Sequence, residues 1–107
     1  MCIKDNKEEI LTMFKECIPL LNALADETRQ RIILILAEEE GLNVNMITER
    51  LSLSRPAISH HLKLLKQVGI IDMERKGTEN YYYLTLKDSV QMIKSFINTM
   101  ENNCDLK

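Results

Sequence analysis

Residues 52–86 read SLSRPAISHHLKLLKQVGIIDMERKGTENYYYLTL, and their hydrophobic period changes once, at Gly69. Before that point Ile58, Leu62, Leu65 and Val68 recur at spacings of four, three and three, which collects them on one buried stripe of a helix. Ser54 can accept from a free backbone N–H at the start of this helix, and Pro56 falls in its first turn, where a missing N–H costs little. Gly69 supplies the left-handed residue that ends it. The opposite face carries Arg55, Ser59, His60, Lys63 and then Lys66 or Gln67, donors and positive charges suited to base edges and phosphates in a major groove.

Beyond Gly69 the pattern alternates, with Ile71 and Met73 on one face and Asp72 and Glu74 on the other. Arg75-Lys76-Gly77-Thr78 reads as a turn, and the return strand, residues 80–86, is rich in β-formers: Tyr81, Tyr82, Tyr83 and Thr85. Arg75 and Lys76 are thereby expected at the tip of a hairpin, where positive charge reaches the flanking backbone or minor groove. Strand alternation sends Tyr82 to the face opposite Tyr81 and Tyr83, so at least one of these positions belongs to the core. A DNA-reading helix running into a hairpin predicts a winged helix-turn-helix, mainly α with a small β-hairpin wing.

Working outward, Asn43 is a cap for a helix through Val44, Ile47 and Leu51, so residues 43–69 form the helix-turn-helix and residues 70–86 the wing. Asp26 caps a helix from about residue 27 to 39 whose run Ile32-Ile33-Leu34-Ile35-Leu36 predicts a central position, and Gly41 ends it after an acidic triplet. Residues 7–24 place Ile10, Leu11, Phe14, Cys17, Ile18 and Leu21 at helical spacing, with Pro19 predicting either a kink or two short helices meeting near Ile18. Asp88 or Ser89 caps a last helix in which Val90, Ile93, Phe96 or Ile97, and Met100 repeat at close to heptad spacing. These peripheral amphipathic segments, residues 1–24 and 88–104, predict dimerisation through the first and last helices about a twofold axis.

At 107 residues and 45% hydrophobic content the chain fits one domain with one core. The net charge is −2, yet residues 54–77 hold Arg55, Lys63, Lys66, Arg75 and Lys76 against Asp72 and Glu74, a local +3 that leaves −5 on the remainder. Such polarity directs attraction for phosphate to one face, so an acidic whole is compatible with nucleic-acid binding. No apolar run approaches the roughly 20 residues that cross a bilayer, and MCIKDNKEEI lacks the apolar core of a secretory signal, which predicts a cytoplasmic protein without a membrane partner. Cys2, Cys17 and Cys104 are odd in number and contain no Cys-x-x-Cys, a poor disulfide framework that fits a reducing compartment.

Three blocks, LADETRQRIILIL (residues 24–36), ITERLSLSRPAISHHLKLLKQVGII (residues 47–71) and the hairpin ending YYYL, taken in this order and spacing, resemble the ArsR/SmtB family of bacterial repressors. The resemblance covers most of the chain. It implies a homodimer that represses by binding an inverted-repeat operator in double-stranded DNA and is released by an effector, often a metal ion. Two family metal patterns are missing here. Where soft-metal sensors carry Cys-x-Cys, this chain has Asn43-Val44-Asn45, and asparagine supplies no thiolate. Where zinc-type sensors carry Asp-x-His and a later His, the counterparts are Asp88, Val90, Glu101 and Cys104, so both imidazoles are absent. Metal sensing is therefore not inherited, and no cofactor is expected.

Enzymatic chemistry is not expected either. Ser59-His60-His61 are adjacent helical positions pointing about 100° apart, with no orienting acid or oxyanion loop. His61 lies nearer the buried stripe and reads as a packed or backbone-bonded histidine. Cys17 reads as a small core hydrophobe and Cys104 as an exposed thiol; were the two end helices to pack together in the dimer, these thiols would approach and form a sensor for a thiol-reactive effector, as an alternative to a small inducer. The methionines at 46, 73, 92 and 100 show no clustered spacing and read as gap fillers. The predicted DNA-contacting set is Ser54, Arg55, Ser59, His60, Lys63, Arg75 and Lys76. The competing reading is a winged helix that uses the same polar face to bind a partner protein.

Overall fold

In the computed structural model, which describes residues 7–103, four helices precede a hairpin and one follows it. The order is α1 (Lys7–Leu24), α2 (Glu27–Glu38), α3 (Val44–Arg50), α4 (Arg55–Gln67), β1 (Ile71–Lys76), β2 (Glu79–Leu84) and α5 (Leu86–Asn103). Three helix starts are closed by the side chains expected to close them. Asp26 Oδ2 accepts from the Arg29 N–H at 3.0 Å, Asn43 Oδ1 from the Met46 N–H at 2.9 Å, and Ser54 Oγ from the Ala57 N–H at 3.4 Å. Pro19 does not divide the first segment: α1 is one helix, and Pro19 lies on its exposed side.

The core gathers where α2, α3, α4 and the start of β1 meet, around the fully buried Ile32, Leu36, Ile47, Ile58, Leu62, Leu65, Ile70 and Ile71. Only part of the apolar run in α2 belongs to it. Ile32 and Leu36 are sealed, but Leu34 is 63% exposed, because a helix packed on one side cannot bury five consecutive residues. α2 ends at Glu38, with Glu39 extended as its cap, while Gly41 takes φ +79° to turn the chain toward the hairpin.

That turn produces an element with no sequence signature of its own. The Gly41 N–H donates to the Tyr82 carbonyl at 2.9 Å, and the Tyr82 N–H donates to the Leu42 carbonyl at 2.9 Å, so Leu42 forms an isolated bridge on the free edge of β2. On the other edge β2 pairs antiparallel with β1, from Ile71↔Leu84 to Lys76↔Glu79. The hairpin loop is only Gly77-Thr78, with φ +65° at Gly77, so Arg75 and Lys76 are strand residues opposite Asn80 and Glu79 and not part of the turn. Tyr82 is the tyrosine that packs against the core.

α5 begins at Leu86, before the expected caps. Ser89 is buried inside the helix and its hydroxyl reaches the Gly69 carbonyl at 3.4 Å, while Thr85 donates its hydroxyl to the same carbonyl at 3.0 Å. α5 returns along α1, where Phe14 and Phe96 meet edge to face at 4.6 Å between ring centroids. The first and last helices thus pack together within one chain. Their pairing still leaves Leu11, Ile18, Leu21, Val90 and Ile97 exposed, each above 40%. The molecule measures 53 × 25 × 21 Å with a radius of gyration of 16.9 Å, against about 13 Å for a compact domain of this length.

Candidate nucleic-acid interface

α4 separates its two faces cleanly. Ile58, Leu62 and Leu65 are at most 1% exposed, whereas Arg55, Ser59, His60, Lys63, Lys66 and Gln67 are all exposed. Arg55, Ser59 and Lys63 follow one another at four-residue steps and so line up along one row of the helix. His60 lies beside that row. Among the described residues none of the side chains of Arg55, Ser59, His60 and Lys63 makes a hydrogen bond or ion pair, although the ring of His60 lies 6.0 Å from that of His61.

The arginines sharpen the contrast. Arg29 and Arg75 donate to backbone carbonyls, Arg31 pairs with Glu27 at 3.1 Å and Arg50 pairs with Glu39. Arg55 alone, of five arginines, keeps its guanidinium uncommitted among the described residues. A fork of five donors held outward on the first turn of a helix is the group that recognises a guanine edge or a phosphate bidentately. Ser54 is differently employed. Its hydroxyl is exposed but serves as the helix cap, so its offer to a ligand is the remaining O–H donor.

At the wing, Arg75 and Lys76 are exposed neighbours on β1 and point to opposite faces of the hairpin. Arg75 Nε donates to the Gly77 carbonyl at 3.2 Å, which folds the guanidinium against the loop. The Lys76 ammonium sits 5.7 Å from the ring centroid of Tyr81, its diagonal neighbour on β2. Both charges therefore stay near the tip despite lying in the strand.

His61 faces inward and is partly buried, and its partners are side chains, not the backbone. Its Nδ1 lies 3.3 Å from Arg29 Nη1 and 3.9 Å from Asp26 Oδ2. The backbone N–H of Arg29, and then the nearby Arg29 and His61 charges, hold the Asp26 carboxyl below the usual carboxylate range, partly opposed by burial. Arg29 also donates through Nε to the Ala23 carbonyl at 2.8 Å and through Nη2 to the Asn22 carbonyl at 3.2 Å. It thereby fastens the end of α1 and the start of α2 to α4. Arg29 lies within the block LADETRQRIILIL, but the sequence gives it no task, since its partners lie 32 positions away and in the α1 terminus.

Cys17 is buried at 2% exposure, and burial, with the neighbouring Glu16 carboxylate, pushes its thiol up. Cys104, its suggested partner, lies outside the described residues. No described helix is long and apolar enough to cross a membrane.

Comparison with known proteins agrees with this architecture. A family model described as bacterial regulatory protein, arsR family, matches residues 26–73. The transcriptional repressor SdpR of Bacillus subtilis is 37% identical over 87 residues, covering 78% of this chain and 96% of that protein. An HTH-type transcriptional regulator of Methanocaldococcus jannaschii is 35% identical over 81 residues, covering 76% and 91%. Among solved structures, reduced HlyU from Vibrio cholerae superposes with a TM-score of 0.67 at 27% identity, covering 91% of this chain and 98% of that one. An ArsR-like regulator from a Rhodococcus species superposes with a TM-score of 0.76 at 24% identity over 86% and 84%, a likeness of fold.

Proposed function

The chain belongs to the arsR family of bacterial DNA-binding transcriptional regulators, and from that premise we propose that it acts as a homodimeric cytoplasmic repressor of an inverted-repeat operator, released by an effector. The observation that carries the reading is the outward face of α4, where Arg55, Ser59, His60 and Lys63 are exposed and hydrogen-bonded to nothing among the described residues. In the proposed complex α4 enters a major groove. Arg55, Ser59 and His60 read base edges, with the Ser54 hydroxyl at the helix start, while Lys63, Arg75 and Lys76 meet phosphates. The exposed stripe Leu11, Ile18 and Leu21 on α1, continued by Val90 and Ile97 on α5, forms the twofold seam. An elongated protomer with an apolar flank supports this assignment, because a solitary molecule gains nothing by extending such a surface into water.

Selection of bound duplexes from a random pool tests the reading. An inverted repeat with half-sites about one helical turn apart is expected, and Arg55→Ala is expected to relax preference within each half-site. Enrichment of no sequence, or retention of the pool that is indifferent to salt, refutes it and favours a protein partner for the same face.

A further inference from the structure

His60 is exposed on the outward face of α4, whereas the next residue, His61, is half-buried and turns toward α2. A guanidinium has donors only, so at 3.3 Å from Arg29 Nη1 the Nδ1 of His61 must be a bare acceptor, which leaves the ring proton on Nε2. One tautomer of the neutral imidazole is therefore built into the contact that joins α4 to Arg29 and, through Arg29, to the Ala23 and Asn22 carbonyls at the end of α1. The Asp26 carboxylate stands 3.9 Å from the same nitrogen, beyond hydrogen-bond reach.

Protonation of the ring reverses both relations. With a proton on Nδ1 the acceptor is lost and two cations face each other, while Asp26 becomes the favoured partner. Asp26 is still an anion when this happens, because its carboxyl is held below the usual carboxylate range. Closing the gap to about 2.8 Å, the ordinary length of a charge-assisted bond, shifts the ring by about 1 Å. His60 is the next residue on the same helix, and a binding constellation tolerates only about 0.5 Å of misplacement. Nothing else nearby competes for the charge. Among the described residues no other carboxylate lies within 4.0 Å of His61, and His60 is 6.0 Å away between ring centroids. On α4 its neighbours one turn away, Ala57, Ile58, Leu64 and Leu65, are apolar, and residues 20–24 of α1 include no ionisable side chain. On α3, Arg50 is engaged by Glu39 and Glu49 is exposed.

Resting on the assignment of α4 as the DNA reader, we propose that His61 is a positioning residue: neutral, it accepts from Arg29 and seats α4 for operator binding; protonated, it turns to Asp26 and unseats the helix. DNA then selects the neutral imidazole, so operator affinity falls as pH drops through the range, about 5 to 8, in which histidine changes charge. The sign separates this device from plain attraction. A cation that merely added to the pull on phosphate would strengthen binding in acid.

The test compares the full chain with His61→Asn, whose Oδ1 can replace Nδ1 as acceptor for Arg29 but does not titrate. His60 and the amino terminus titrate alike in both proteins, so the ratio of their operator affinities isolates His61. At constant ionic strength the ratio of wild type to variant is expected to fall by about fivefold or more between about pH 8 and about pH 5.5. Long-range proton–nitrogen NMR of the wild type without DNA is expected to place the proton of the neutral His61 ring on Nε2, with Arg29 side-chain resonances that move as the ring charges and stay fixed in His61→Asn. A ratio that is flat or rises in acid overturns the proposal, as does a neutral ring protonated on Nδ1 or an Arg29 signal indifferent to the charge of His61. Failure of both proteins to bind operator at every pH overturns the reading of α4, and this proposal with it; the imidazole spectrum tells that failure apart from failure of the exchange between Arg29 and Asp26.

Discussion

Lys63 offers a quantitative test of how the interface is divided between attraction and readout. It is exposed on α4 and has no ionic partner among the described residues, so a phosphate it meets gains a charge that no carboxylate of the chain already neutralises. If Lys63, Arg75 and Lys76 each touch one phosphate, a dimer makes six such contacts, and the logarithm of affinity should fall against the logarithm of salt with a slope of about −5. Raising salt from about 50 to 200 mM then weakens binding roughly a thousandfold. Lys63→Ala removes two contacts per dimer and should bring the slope to about −3.5, with a similar loss of affinity on operator and on random duplex. Fluorescence anisotropy of labelled duplexes across a salt series measures both quantities. A slope unchanged by Lys63→Ala, or a loss confined to the operator, would show that this lysine reads sequence or touches nothing, and the division of labour on α4 would have to be redrawn. Folding is not at issue, since an exposed substitution of this kind shifts stability by about 0.5 kcal/mol or less.

Other expectations concern the frame that holds the reader. Arg29→Ala deletes two charge-assisted hydrogen bonds to the α1 carbonyls and the contact with His61, and should cost about 2–4 kcal/mol in urea unfolding. Arg29→Lys should recover little, because an ammonium cannot reproduce the fork. Ile18→Glu places a charge in the proposed seam while leaving the protomer core untouched; sedimentation should shift from dimer to monomer, and operator affinity should fall with it. Asp26→Ala should cost about 1 kcal/mol at neutral pH. Because the folded Asp26 carboxyl titrates below its unfolded counterpart, its contribution is complete above the ordinary carboxylate range and fades as pH falls through that range, so the difference between wild type and variant in urea should narrow below about pH 4.

Local chemistry made much of this molecule legible in advance. Asp26, Asn43 and Ser54 are caps because their side-chain oxygens reach the N–H three residues on, and that reach is written into the chain at fixed spacing. The buried stripe of α4 and the alternation of β1 against β2 are periodic for the same reason. What escaped were features settled by tertiary partners. The Leu42–Tyr82 bridge is a single residue pair with no period to detect. The six apolar positions of α1 read as one stripe, yet Ile10 and Cys17 are buried while Leu11, Ile18 and Leu21 are exposed, a split that the spacing alone does not determine. Ser89 resembled a cap, but its hydroxyl is drawn to the Gly69 carbonyl, which lies 20 positions away. The outward face of α4 was readable because exposure is the complement of a burial pattern. The commitment of four arginines to other tasks was not, since each depends on where a carbonyl or carboxylate comes to rest.

The bridge at Leu42 has an architectural consequence for the wing. Backbone bonds on both edges clamp β2 at Tyr82, which ties the base of the hairpin to the body, while everything beyond Arg75 projects as a cantilever ending in Gly77-Thr78. Its length is then a separable dimension. Inserting two residues into each strand near the loop would extend the overhang by about 6.8 Å, keep a hydrogen-bonded pair beside the two-residue loop and leave the clamp undisturbed, whereas adding a residue to only one strand would swap which of Arg75 and Lys76 lies on the Tyr81 side. The reach of the proposed wing contact can thus be adjusted in steps of two residue pairs without renegotiating the packing of the domain beneath it.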